Sequence, residues 1–170
     1  MRRFTTSAAL AAVITLGLTG AAFAQDAAVP PGEKPVDPYT QSNANAGATP
    51  MADAKVFEAF HGKAGIDRVV DTMVERNFAD PRIKDFFAAA DKVRLKRTLS
   101  EQFCYILGGG CTYTGKDMKS SHKDQGTTNK DMNALIENLQ FAMDQEKVPF
   151  FAQNKLLAKL APQQRDIVEK

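Results

Sequence analysis

The feature that most constrains this chain is the glycine triplet Gly108-Gly109-Gly110 together with the segment that follows it. Upstream, Leu95, Leu99, Phe103, Ile106 and Leu107 recur at helical spacing behind Asp91, a good N-cap residue, which predicts a helix over about residues 92–107. The triplet stops it, and no apolar period survives from Gly108 to Gln125. A stretch that long without periodicity, inside a compact domain, is either functional or disordered. It carries His122, one of 2 histidines in the chain, just beyond Met118 and a further turn of small and charged residues.

Helical periods flank this stretch on both sides. Ile66, Val69, Val70, Met73, Val74 and Phe78 share one face, with Asp67, Arg68, Asp71, Glu75 and Arg76 on the other. Pro81 suits the first turn of a short helix that ends in Phe86-Phe87. Thr127 or Thr128 caps a helix carrying Met132, Leu135, Ile136, Leu139 and Met143, which Val148-Pro149 ends. A last helix with Leu156, Leu157, Leu160, Ile167 and Val168 is expected to bend at Pro162. Sustained period-two alternation is absent from the sequence, so the predicted fold class is all-α.

Residues 1–24 read as a secretory signal peptide: Arg2 and Arg3, the apolar and small run Ala8 to Leu18, then Ala22-Phe23-Ala24 as a cleavage signal. Export, to a bacterial periplasm, is therefore expected, with no stable membrane insertion once the segment is removed. Residues 25–52 hold Pro30, Pro31, Pro35, Pro38 and Pro50 with few large apolar side chains, and are expected to form a flexible tether ahead of one domain over 53–170. Of 22 basic residues, removing Arg2 and Arg3 leaves 20 against 20 acidic ones. A neutral chain offers no basic face for nucleic acid, and Lys92, Arg94, Lys96 and Arg97 read as the solvated side of a helix.

An ordered set of short motifs goes further. Gly62-Lys63-Ala64-Gly65-Ile66, Ala79-Asp80-Pro81, Phe86-Phe87, Leu107-Gly108-Gly109, Tyr113-Thr114-Gly115, Met118-Lys119-Ser120-Ser121-His122 and Val148-Pro149 follow one another at matching distances. In this the chain resembles the truncated haemoglobins of group I over residues 55–170. The resemblance implies a shortened globin, a two-over-two helical sandwich around haem b, whose ligand is a diatomic gas: O2, NO or CO. It makes His122 the proximal iron ligand, with its second ring nitrogen donating to a nearby backbone carbonyl. Tyr113, Met118, Leu95 and Leu99 fall near the haem, and Phe86 or Phe87 at the position that wedges the porphyrin.

On the distal side the chain departs from the family pattern. The usual tyrosine falls on Val74, with Met73 beside it; the polar glutamine position falls on Leu99 and the gate position on Leu95, with Leu135 completing the distal set. An oxygen ligand gains about 1.5–3 kcal/mol from a charge-assisted hydrogen bond, so an apolar pocket is expected to favour NO or CO over tight oxygen storage. Gln102 is either a substitute donor to the ligand or a rim residue facing water. An enzymatic alternative, NO dioxygenase or peroxidase-like chemistry, would need an electron donor that the sequence does not identify. His61 is expected to be exposed rather than a sixth iron ligand. Cys104 and Cys111 would stand about 10.5 Å apart on one continuous helix, beyond disulfide reach; the glycines let the chain fold back, so a disulfide and two independent thiols both fit. Both cysteines and both histidines would make a four-ligand zinc set, but their spacing matches no standard zinc pattern.

Overall fold

The computed structural model describes residues 29–170, so the segment read as a signal peptide lies outside the described residues. From Ala54 onward the chain is a succession of helices whose ends follow side-chain caps. Asp53 accepts from Lys55 N and starts α1 (Ala54–Ala59). The next, α2 (Gly62–Ala79), begins after His61, which adopts φ 60° and donates no cap. Asp91 accepts from Arg94 N at the start of α4 (Lys92–Ile106). Between them lies the single turn α3 (Lys84–Phe87). Pro81 does not open that helix: Asp80 caps a tight turn there by accepting from Arg82 N, and the helix begins past Ile83.

α5 (Met118–His122) is a five-residue helix capped by Asp117. α6 (Asn129–Gln145) opens on a reciprocal capping box between Thr128 and Asp131. α7 (Phe150–Leu160) passes through a 3₁₀ turn containing Pro162 into α8 (Gln164–Ile167), which is the expected bend. α2 lies at the centre, packed on both α4 and α6, while α7 covers α1 and α4. Phe60, Ile66, Val69, Val70, Val74, Ile106, Leu107, Leu139, Met143 and Leu156 form the core between them, each almost wholly buried. Among the described residues there is no strand, and no helix is long and apolar enough to cross a membrane.

The glycine triplet ends α4 in a Schellman motif: Gly109 N donates to Cys104 O and Gly108 N to Tyr105 O. Gly108 takes φ 83°, and a Cβ there would meet Met51 O at 2.4 Å, so glycine is required for both conformation and space. This turn folds the chain back and brings Cys111 to Cys104 with the Cα atoms 5.7 Å apart, joined by a disulfide.

The segment expected to be a flexible tether is the largest correction. Residues 29–52 lie against the domain as a strap. Glu33 is buried, its side chain 1% exposed, and its carboxylate takes a two-pronged contact from Arg97 and a third from Arg94. Arg94 and Arg97 therefore line a half-buried contact rather than the solvated side of α4. Lys34 N donates to Asp91, and Met51 N donates to Ile106 O, satisfying a carbonyl in the last turn of α4. Composition correctly says that the strap has no apolar core of its own; polar pairing and a few small contacts, such as the fully buried Ala46, hold it in place.

The disulfide closes a loop with a sequence separation of 7. By the chain-entropy relation, a loop of that size stabilises the fold by about 2.5 kcal/mol. Urea unfolding with and without reductant checks this: the reduced protein should unfold at clearly lower denaturant, and coincident curves would show that the bond adds nothing.

Candidate functional site

A cavity of about 290 Å³ opens between α2, α4, α5 and α6. Its wall is mostly aliphatic and aromatic. Met73 comes from α2, Phe86 and Phe87 from α3, Leu95, Leu99 and Phe103 from α4, and Met132, Leu135 and Leu139 from α6. Met118 and His122 come from α5, Tyr113 and Thr127 from the loops on either side of it, and Gln163 from the 3₁₀ turn before α8.

His122 is the last residue of α5. Its Nδ1–H donates to the carbonyl of Met118, one helical turn back, at 2.8 Å. A neutral imidazole with Nδ1 protonated carries its lone pair on Nε2, the nitrogen able to bind a metal. Asp117 secures the helix that presents this ring: its carboxylate accepts from Ser120 N at 2.9 Å and from Ser120 Oγ at 2.7 Å, and the Ser120 amide holds its pKa below the usual carboxylate range. From the other side, Glu169 accepts from Asp124 N and Gly126 N, so the segment after α8 pins the loop that leaves His122.

Tyr113 is buried and spans the loop before α5 by donating its hydroxyl to Lys116 O at 2.8 Å. Burial pushes the phenol pKa up, so the hydroxyl keeps its proton and stays a donor. Glu101, on α4, accepts from Thr114 N and Thr114 Oγ1 and also pairs with Arg97.

Phe86, Phe87, Leu95, Leu99, Tyr113, Met118, His122, Met73, Gln102 and Leu135 all lie on the cavity wall. Val74 does not. It is fully buried in the core between helices, and Met73 takes the place on the wall assigned to it. One residue along a helix is about a 100° turn, so a gapless register count along α2 is enough to exchange the two. Gln102 is corrected as well: it is 4% exposed and so does not face water at a rim. Its Nε2 donates to Ala46 O at 2.9 Å and to Gln163 Oε1 at 3.3 Å, and lies 3.7 Å from Met118 Sδ. His61 is exposed, its Nε2 donating to Glu146 O at 3.0 Å, far from the cavity wall.

Asn77 was missed. It is 1% exposed, lies on the wall, and its Oδ1 accepts from Asn138 Nδ2 at 3.0 Å, which leaves its own amide group as a donor. The signal was present: an asparagine one turn after Met73 on the apolar face of α2. Among the described residues no cluster of histidine, cysteine and carboxylate side chains could hold a metal ion unaided. The zinc alternative therefore fails, since Cys104 and Cys111 are bonded to each other and His61 lies elsewhere. One imidazole in an apolar cavity suits instead a metal that arrives in a large planar apolar group.

Comparison with known proteins agrees with this geometry. The model of the family described as bacterial-like globin matches residues 55–168. The group 1 truncated hemoglobin GlbN of Mycolicibacterium paratuberculosis is 29% identical over 109 residues, covering 64% of this chain and 80% of the relative. Its counterpart in Synechocystis sp. is 30% identical over 98 residues, 55% of this chain and 79% of the relative. Among solved structures, the truncated hemoglobin of Tetrahymena pyriformis in the Fe(III) form superposes with a TM-score of 0.64 at 25% identity, over 68% of this chain and 98% of that one.

The Asp117 cap gives the site a defined acid limit. A carboxylate whose pKa is lowered by folding contributes stability above its unfolded value, about 3.9, and loses that contribution as pH falls through the lower folded value. Asp117→Ala should therefore cost about 1 kcal/mol near neutrality, and the gap from the unsubstituted protein should close on acidification below the ordinary aspartate range. Urea unfolding across pH checks it; a gap that is the same at every pH would contradict the role.

Proposed function

Because this chain belongs to the bacterial-like globin family, as a truncated globin of group I type with the two-over-two fold, its cofactor is haem iron and its ligands are diatomic gases, and we propose that His122 holds the iron. The observation that carries this reading is the hydrogen bond from His122 Nδ1 to Met118 O, which fixes the tautomer that leaves Nε2 basic at the cavity wall. The rest of the donor set fits the group: aliphatic walls, the adjacent Phe86 and Phe87, and a buried neutral tyrosine. Haem held by His122 would supply an iron able to bind a small diatomic ligand.

The haem is b type, held without a thioether link, since both cysteines of the chain are consumed by the Cys104–Cys111 bond. Met73, Leu95, Leu99 and Leu135 make much of the remaining wall apolar, and Asn77 adds an amide group to it. Gln102 does not serve the gas ligand, because its amide hydrogens already go to Ala46 O and Gln163 Oε1. With few donors on the wall beyond the Asn77 amide, such a pocket favours NO or CO, which depend less on a hydrogen-bond donor than oxygen does. Export belongs to the same reading: a disulfide of this kind persists in an oxidising compartment such as the periplasm.

Haem titration of the purified protein tests the assignment. The unsubstituted chain should take up one haem with a Soret band and a ferrous CO spectrum of histidine-ligated type, and His122→Ala should weaken haem binding at least about tenfold, the loss of roughly 1.4 kcal/mol or more. An unchanged band in His122→Ala would remove the proposal. For Gln102, stopped-flow oxygen release from Gln102→Leu should stay within about twofold of the parent, since losing a charge-assisted donor at about 1.4 kcal/mol per decade would speed release tenfold or more.

A further inference from the structure

We propose that the strap between Glu33 and Met51 is a haem-retaining clamp, holding the wall of the cavity and the loop that leads to His122 from behind. The proposal rests on the haem reading above. The strap lies outside the stretch shared with the family, which begins at residue 55, and none of its residues lines the cavity. What it touches are residues that do.

Its centre is a 3₁₀ turn, Asn43–Ala46, capped by Ser42. Here Ala46 O accepts from Gln102 Nε2 at 2.9 Å and from Gln163 Nε2 at 3.2 Å, so one carbonyl gathers a wall residue of α4 and another from the turn before α8. Gly47 follows with φ 75°, and a Cβ at that position would come within 2.7 Å of the Gln163 side chain. The turn and Tyr39 just before it grip the loop that precedes α5 along its backbone. Tyr113 N donates to Asn43 Oδ1 at 2.8 Å, Tyr39 Oη donates to Thr114 O at 2.8 Å, and Asn45 Nδ2 donates to Gly115 O at 3.2 Å.

These contacts converge on the proximal side of the site. The loop they hold runs directly into Asp117 and α5, and Gln102 Nε2 also reaches Met118 Sδ, on the residue whose carbonyl orients His122. Movement of the loop, the Gln102–Gln163 wall or α5 away from the cavity would widen the path by which a planar group leaves. Each contact present in the closed form and lost in the open one slows that release. The Glu33 contact with Arg94 and Arg97 anchors the far end of the strap on α4, so it is held on both sides of the turn.

Transfer of haem from the full chain to excess apomyoglobin, followed spectroscopically, tests the clamp. Asn43→Ala and Tyr39→Phe each remove one bond to the loop and should each speed haem loss about fivefold, the equivalent of about 1 kcal/mol; the double variant should lose haem faster still. Asn43→Asp keeps an acceptor for Tyr113 N and should restore the parental rate, which a general loss of stability would not do. Arg68→Ala, which breaks only a surface pair with Glu146 away from the strap and the cavity, should leave the rate within about twofold of the parent. Should Asn43→Ala fail to fold, Tyr39→Phe, which deletes a single hydroxyl, decides alone. Haem bound normally but lost at the parental rate by the double variant, or by Tyr39→Phe alone in that case, would overturn the clamp and leave the haem reading intact. Absence of any Soret band in the unsubstituted protein would end both.

Discussion

An irregular loop inside a packed domain must find partners for its own backbone, and the surroundings of His122 follow from that requirement. Between Gly108 and Asp117 the chain has neither a helix nor a strand to satisfy its amides and carbonyls, and a buried group left unpaired is costly. Partners come from several directions: the Schellman turn of α4, the Glu101 carboxylate on Thr114, the Tyr113 hydroxyl on Lys116, and the strap on Tyr113, Thr114 and Gly115. The disulfide shortens the path the loop can take. Only with the loop so constrained does the brief helix α5 have a fixed start, and only then does the imidazole at its end have a fixed direction.

Electrostatics in the same region serves geometry more than attraction. Arg97 bridges Glu33 of the strap, Glu101 of its own helix and Thr114 of the loop, and its side chain is 28% exposed. A buried ion pair gains little net stability over apolar contact, because removing charges from water costs several kcal/mol. What the guanidinium provides is a planar fork that fits separate acceptors at once. Its value is in joining three pieces of chain in one register.

The helices and their caps were legible because local rules govern them. Asp91, Thr128 and the bend at Pro162 occupy the places their chemistry predicts, and the ordered motifs around His122 identified the fold. Two things were not legible. The side of α2 that faces the cavity depends on a rotation of about 100° per residue, and counting without gaps put Val74 where Met73 stands. The strap escaped for a different reason. Its proline-rich, polar composition describes a segment with no core of its own, but says nothing about whether its amides and carbonyls match unsatisfied groups elsewhere. Asn43 meeting Tyr113, and Ala46 meeting both Gln102 and Gln163, are pairings across most of the chain length, and no local period encodes them.

The central claim is that one nitrogen of one histidine ties the cofactor to this protein. With only 2 histidines in the chain, pulsed electron paramagnetic resonance of haem-reconstituted ferric protein labelled with ¹⁵N-histidine reads this directly. The expected result is a strongly coupled imidazole nitrogen that persists in His61→Ala and disappears in His122→Ala. Coupling retained in His122→Ala, or lost in His61→Ala, would contradict it.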